Sequence, residues 1–386
     1  MSSPFLLLVT ALLAASCSGG SSSSSGAIPA GPIRVGALLT LSGPNAAVGT
    51  AQQVMFQVLV TDLNAAGGIA GHPVDLVTLN DGGTPAVAEQ QANVLVQEHV
   101  AAVVFAGTEA TLGRTVAVFA KHQVPVVMPD PEDQWANGAR FPYFFDTAPL
   151  DKQMAAAMAR FAKSRGLQKL AVLGDGSAVS AQLDSDLAPA AQSQGLALTA
   201  GQSFVPPTSS VVAQVQQLES SGADGLVVSA QSGLGTVYSA LRQLRWNPTI
   251  LTTPAADVVD YRTLGALASH AFSACSVALD PGQQPSNTMT DVLQSVEAHV
   301  GTTPLAVSSL SYSDGLQLLD KAVAGARSTS GPDLKAQLEQ LKAVYTTAPY
   351  TYTFTSTDHA GWASKNVRMC ALSGFGPNDL PEVAAP

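Results

Sequence analysis

Residues 33–85 read IRVGALLTLSGPNAAVGTAQQVMFQVLVTDLNAAGGIAGHPVDLVTLNDGGTP. The order is strand, glycine-containing loop, amphipathic helix, glycine turn, strand, loop. The spacing predicts strands over 33–39 and 73–79 around a helix over 50–66. Val54, Val58 and Leu59 keep helical register in that helix, and Gly67-Gly68 supplies its C-terminal cap. The loop Ser42-Gly43-Pro44 faces the end of the first strand. Open α/β sheets place their ligands there.

The same alternation continues outward. Strands are expected at 102–106 and 124–128, with helices at 85–99 and 111–122. The short segment Tyr143–Thr147 leads to Ala148-Pro149 and a second series. That series has helices at 150–165, 180–194, 209–220, 234–245 and 257–268, and strands at 169–173, 197–204, 224–229, 249–252 and 271–278. Helices at 286–300 and 305–326 and strands at 350–355 and 366–372 follow, the last two joined by a turn around Asp358-His-Ala-Gly361. A tail from Gly374, rich in Pro and polar residues, is expected to fray. Strands and helices alternating with little else define an α/β class of doubly wound parallel sheets. Beyond residue 32 about 355 residues remain, too many for one average domain and suited to two lobes.

A formal charge of −10 with only 12% charged residues excludes nucleic acid, which needs clustered Lys and Arg. It equally excludes electrostatic adhesion to a membrane. The first residues supply another route to one. Phe5 to Ala15 is an apolar run too short to span a bilayer and placed like the core of a signal peptide, residues 1–16. Ala14-Ala15-Ser16-Cys17 resembles a lipobox, in which Cys17 would carry the lipid; ordinary secretory cleavage would leave it a free thiol. Residues 17–32 then form the attachment and a flexible Ser/Gly linker, roughly 20 Å in root-mean-square reach. The chain is expected outside the cytoplasm, on the outer face of the cytoplasmic membrane, in the periplasm or at an outer membrane. The remaining cysteines, Cys275 and Cys370, both fall in expected strands. They are either one disulfide or two buried thiols.

Leu-Ser-Gly-Pro, then Asn64-Ala-Ala-Gly-Gly-Ile-Ala-Gly-His-Pro-Val-Asp75 and Asn80-Asp81, occur in an order that resembles one family. It is the leucine/isoleucine/valine-binding family of type I periplasmic solute-binding proteins of ABC transporters. Val124-Pro125-Val-Val-Met-Pro129, Tyr143-Phe-Phe-Asp-Thr-Ala-Pro149, Lys169-Leu-Ala-Val-Leu-Gly-Asp175 and Ser311-Tyr-Ser-Asp-Gly315 extend the resemblance across residues 33–372. It implies three crossings between lobes, near 147, 279 and 347, acting as a hinge. Lobe 1 would be 33–147 plus 280–347, lobe 2 148–279 plus 348–373, and 374–386 a tail.

The resemblance also places a ligand cleft. Gly107-Thr-Glu-Ala-Thr111 occupies the loop that offers amides and a hydroxyl to a carboxylate in amino-acid-binding relatives, with Glu109, Ala110 and Thr111 in it. Thr111 takes the hydroxyl position or serves only as a helix cap. Ser42 lies in the loop after the first strand. Asp130-Pro131-Glu132 replaces the small residues and threonine of relatives, Glu132 at the threonine position. Val48, Val179 (counted from Asp175) and Gln231 stand where relatives carry aromatics, and Asp257 substitutes for an ammonium-binding acid. Acids pointing inward would repel a carboxylate ligand; pointing outward they would be solvated rim residues.

HExxH, paired CxxC, GxSxG and P-loop signatures do not occur, and the six histidines show no ligand spacing. No cofactor, metal or catalytic residue is expected. The sequence therefore implies a monomeric lipoprotein that closes on a small polar ligand other than a branched-chain amino acid and passes it to an ABC-type permease. The alternatives are a ligand sensor of the envelope, an enzyme on a related scaffold, and a ligand-free structural role.

Overall fold

A parallel strand covered by helices on both faces must be apolar on both, so burial tells central strands from edges. β1 (Ile33–Leu39) buries six of seven residues and β3 (Ala102–Ala106) all five, whereas β2 (Val74–Asn80) fully buries only Val74. The computed structural model describes residues 28–43, 46–230, 232–254, 261–275, 277–300, 303–347, 350–375 and 380–385. The expectations for Cys17, Gln231 and Asp257 lie outside these residues.

The first sheet has the order β2-β1-β3-β4-β5, all parallel, with β4 at Val126–Met128 and β5 at Phe144–Asp146. Its connecting helices are α1 (Ala46–Ala65), α2 (Pro85–Gln97) and α3 (Glu109–Lys121). The second series repeats the plan. α4 (Asp151–Ser164) leads to β6 (Lys169–Gly174), α5 (Ala178–Ser193), β7 (Ala197–Ser203), α6 (Val212–Ser220), β8 (Gly225–Val228), α7 (Leu234–Leu244), β9 (Thr249–Thr252) and β10 (Ala271–Cys275). These strands run β7-β6-β8-β9-β10, the same order as in the first sheet. In each sheet the order reverses between the first and third strands, and the crevice at their C-terminal ends is the binding position of this topology.

Two antiparallel strands extend the second sheet: β13 (Arg368–Phe375) beside β10, and β14 (Pro381–Val383) beside β13. A disulfide joins Cys275 on β10 to Cys370 on β13, with Cα atoms 5.9 Å apart. α8 (Asn287–Val300) and α9 (Thr303–Ala326) return the chain to the first sheet, where α8 lies against α1. α10 (Gly331–Leu338) and the hairpin of β11 (Val344–Tyr345) with β12 (Thr351–Tyr352) follow.

Four features depart from the sequence reading. The last crossing, expected near 347, comes after Gly361. Residues up to 361 run beside β5, where Asp146 N donates to His359 O and Gly361 N to Asp146 O, both at 2.9 Å. α10 was not anticipated, although Ser330 caps it by accepting from Asp333 N and Pro332 opens its first turn. The helix expected over 257–268 is, in its described part, a 3-10 segment over Tyr261–His270, broken at Gly265 by φ 58° and ψ −130°. The tail expected to fray from Gly374 instead closes the sheet edge. Leu279 N donates to Pro381 O and Val383 N to Leu279 O.

The crossings are held together by side chains from distant segments. Trp362 Nε1 donates to Thr147 O at 2.7 Å, and Tyr352 Oη donates to Asp314 Oδ2 at 2.7 Å. Gln153 on α4 receives Leu150 N on its Oε1 and donates from Nε2 to Trp362 O.

Candidate functional site

The cleft forms where the ends of β1, β3 and β4 meet the start of α4 and the loops after β6 and β9. It encloses about 520 Å³, a size suited to a small molecule. Backbone packing shapes its first-sheet wall. α1 approaches the end of β1 so closely that a Cβ on Gly49 would sit 2.1 Å from Thr40 O. Gly107, at φ +106°, turns the chain after β3, and a Cβ there would lie 2.4 Å from Thr111 Oγ1.

Asp81, fully buried, ties this wall together. It accepts from Thr40 Oγ1 at 2.9 Å, Gly83 N at 2.8 Å and Thr111 Oγ1 at 3.1 Å. Asp146 does the same for the β4 loop, accepting from Glu132 N and Ala148 N at 2.8 Å each. Its buried carboxyl is pushed well above the ordinary range, chiefly by desolvation. These bonds hold Asp130-Pro131-Glu132 at the cleft, with Asp130 half-buried and Glu132 only 9% exposed.

Of the residues expected at the site, Val48, Glu109, Asp130, Glu132 and Val179 line the cleft. Four others do not. Ser42 is exposed, and its Oγ accepts from Asn80 Nδ2 at 3.1 Å. Ala110 faces solvent. Thr111 is fully buried, and its hydroxyl donates toward Asp81 and Thr108 O, so it serves the helix end instead of the cleft. Asp175 lies in the loop before α5, accepting from Ser177 N and Oγ and from Ser232 N.

Other lining residues were not singled out from the sequence: Gln52, Asp151, Met154, Thr253 and Tyr312 among them. Asp151 was legible only as an acid at the first turn of a helix. Tyr312 sits inside a motif that gave no hint of its direction. Its ring stacks at 6.1 Å from Phe105 and meets Phe56 edge-on at 5.1 Å. Gln52 Nε2 donates to Tyr312 Oη at 3.0 Å, and Tyr312 Oη donates to Asp130 Oδ1 at 3.4 Å.

The electrostatics follow from burying acids together. Among the described residues that line the cleft there are four carboxyls and no Lys, Arg or His. Desolvation first, then the charges of Asp130, Glu109, Asp151 and Asp133, push Glu132 up to about 8. Burial, then Asp133, Asp186 and Glu109, push Asp151 up to about 8. Burial raises Asp130 to about 6 against the opposing Tyr312 hydroxyl, and raises Glu109 with help from Asp175.

Helix N-termini are the usual anion sites of such folds; at α4 and α5 the chain's own side chains occupy them, while Thr108 caps α3 without a side-chain hydrogen bond. Asp133 accepts from Asp151 N at 2.6 Å and Lys152 N at 3.2 Å at the start of α4. Asp175 and Ser177 fill the corresponding place on α5, with Ser177 Oγ accepting from Ser180 N.

Residues 32–373 match the family model described as periplasmic binding protein. This chain belongs to the periplasmic binding protein family. It is 28% identical over 213 residues to the Leu/Ile/Val-binding protein homolog 3 of Brucella melitensis, 55% of this chain and 57% of that protein. Among solved structures, an extracellular ligand-binding receptor from Rhodopseudomonas palustris HaA2 superposes with a TM-score of 0.75 at 19% identity, covering 92% of this chain and 99% of that one. A type 1 periplasmic binding protein from Bordetella pertussis Tohama I gives 0.74 at 17%, covering 92% and 100%. The branched-chain amino acid transporter substrate-binding protein from Streptococcus pneumoniae, in complex with isoleucine, gives 0.70 at 19%, covering 92% and 100%. The fold is that of type I periplasmic binding proteins. Among the described residues no helix is long and apolar enough to cross a membrane.

Proposed function

We propose that this protein is an extracytoplasmic solute-binding lipoprotein, anchored through Cys17. It captures a small polar molecule other than leucine, isoleucine or valine and passes it, without turnover, to an ABC-type permease. Family membership supports capture of a solute, and the alternating lobes support closure around it. Lobe 1 (33–147 with 280–347, and the segment to 361 beside β5) and lobe 2 (148–279 with the strands from 368) would move as bodies about the crossings.

One observation carries the choice of ligand: among the described residues the cleft holds four carboxyls and no Lys, Arg or His, and the ends of α4 and α5 are filled from within the chain. The relative from Streptococcus pneumoniae holds isoleucine, whose carboxylate needs donors or positive charge. Glu132 and Asp151 would meet that carboxylate with like charge or with protons that cost energy to rearrange.

Calorimetry of leucine, isoleucine and valine with the full-length protein, stripped of co-purified ligand, tests this. No binding up to millimolar concentration is expected. Micromolar affinity for any of the three would overturn the reading of the cleft.

A further inference from the structure

We infer that the solute taken by this cleft is an organic cation, a protonated amine with an apolar body and no carboxylate, whose charged end seats between Glu132 and Asp151. The inference rests on the solute-binding reading and names the class of ligand within it. A group of acids alone would not suffice. The independent observation is Asp151, which lines the cleft, is 3% exposed, and leaves its Oδ1 without a hydrogen-bond partner. Buried acceptors of that kind call for a donor.

Asp151 is the first residue of α4, behind the N-cap Leu150, and Asp133 takes the backbone amides of Asp151 and Lys152. The Asp151 carboxyl takes neither of them and lines the cleft. Glu132 lines the same cleft, fixed by Asp146 at its backbone amide. An ammonium carries three N–H donors and a full charge, which answers both carboxyls at once. Among the described residues no three His, Cys, Asp or Glu side chains are grouped to hold a metal ion. Phe105, Met128, Met154, Val48 and Val179 provide the apolar wall for its body.

The groups facing these carboxyls make the charge of the ligand measurable. Asp130, Glu109, Asp151 and Asp133 act on Glu132; Asp133, Asp186 and Glu109 act on Asp151; exposed Lys152 acts on Asp133. The empty cleft keeps protons on its raised carboxyls near neutral pH, and a cation displaces them. Affinity for an amine should therefore rise with pH between 6 and 8, about tenfold per unit for each proton displaced. A neutral solute accepting hydrogen bonds from protonated carboxyls would show the opposite slope.

The test compares phenethylamine and 1,5-diaminopentane with phenethyl alcohol and phenylacetate, by calorimetry on the full-length protein at pH 6, 7 and 8. Glu132→Gln and Asp151→Asn are measured alongside. At least one amine is expected to bind, more tightly at pH 8 than at pH 6, with release of protons to buffer. Each substitution is expected to weaken it tenfold or more while the unliganded variant melts no lower than the parent. Equal or tighter binding of the alcohol or phenylacetate would overturn the inference and leave the solute-binding reading standing. So would an amine whose affinity ignores both substitutions. Binding of none of the four would overturn the inference. If a wider panel of sugars, amides and amino acids also failed, the solute-binding reading would fall with it.

Discussion

Single residues set the chemistry of this cleft through burial more than through identity. Glu132 and Asp151 are ordinary acids whose carboxyls are held near 8 because water is excluded and other acids stand close. In the unfolded chain they would ionise near 4.5 and 3.8. The folded state thus binds more protons between those values and about pH 8, so their contribution to stability is present at low pH and lost as pH rises through about 8. Urea midpoints of the unliganded protein should fall from pH 5 to pH 8. Glu132→Gln should flatten that slope and stabilise the protein at pH 8 by about 1–4 kcal/mol. An unchanged slope would mean Glu132 ionises freely.

At the scale of elements, two ties hold segments that propensity alone would leave loose. His359, fully buried, stacks at 4.0 Å on Phe145, shares a 2.7 Å hydrogen bond between Nδ1 and Phe144 O, and meets Glu339 with Nε2 at 3.2 Å. It fastens the segment before Gly361 to the edge strand β5. His359→Ala is expected to cost about 2–4 kcal/mol, read as a lower denaturant midpoint, from the lost ring and the unpaired carbonyl. Burial lowers the ring's pKa below 6.5. The neutral ring's contribution is therefore present above pH 6.5 and lost on acidification.

The second tie is the disulfide, which spans 95 residues between β10 and β13. By loop entropy, removing both cysteines with Cys275→Ser and Cys370→Ser should cost about 4 kcal/mol. A midpoint unchanged by reductant would show that the antiparallel pairing alone holds the sheet edge.

For the whole molecule, the two sheets of identical strand order form one cleft because the chain passes between them three times. The first and last of those passages are tied together where Thr147 O receives Trp362 Nε1 and, at 3.3 Å, Tyr352 Oη. Movement about it should be rotation of lobes with their cores intact. Small-angle scattering should therefore show a smaller radius of gyration with a bound amine than without. Trp362→Ala, which frees the carbonyl of Thr147, should weaken ligand binding without altering the residues that touch it. No change in radius on binding would assign the open and closed shapes to one rigid form.

The alternation of strand and helix was legible in the sequence because period and glycine punctuation are local properties, and residues 33–128 state them plainly. Ser330 and Pro332 also spell a helix start, for α10. The family motifs placed the cleft on the loops after β1, β3 and β4, and Glu109, Asp130 and Glu132 line the cavity there. Thr111 shows the reach of such reasoning. Its hydroxyl was expected at the cleft or at the helix cap, and Asp81 from another loop claimed it.

The sequence by itself determined the class of fold, the acidity of the chain and the loops that meet at the cleft. These depend on neighbours along the backbone and on composition. Only the tertiary structure decided which acids face the cleft, that Asp133 takes the α4 amides, that Asp151 Oδ1 is buried without a hydrogen-bond partner, and that Cys275 meets Cys370. Desolvation and hydrogen-bond pairing are properties of three-dimensional neighbourhoods, set by groups up to hundreds of positions apart in the chain.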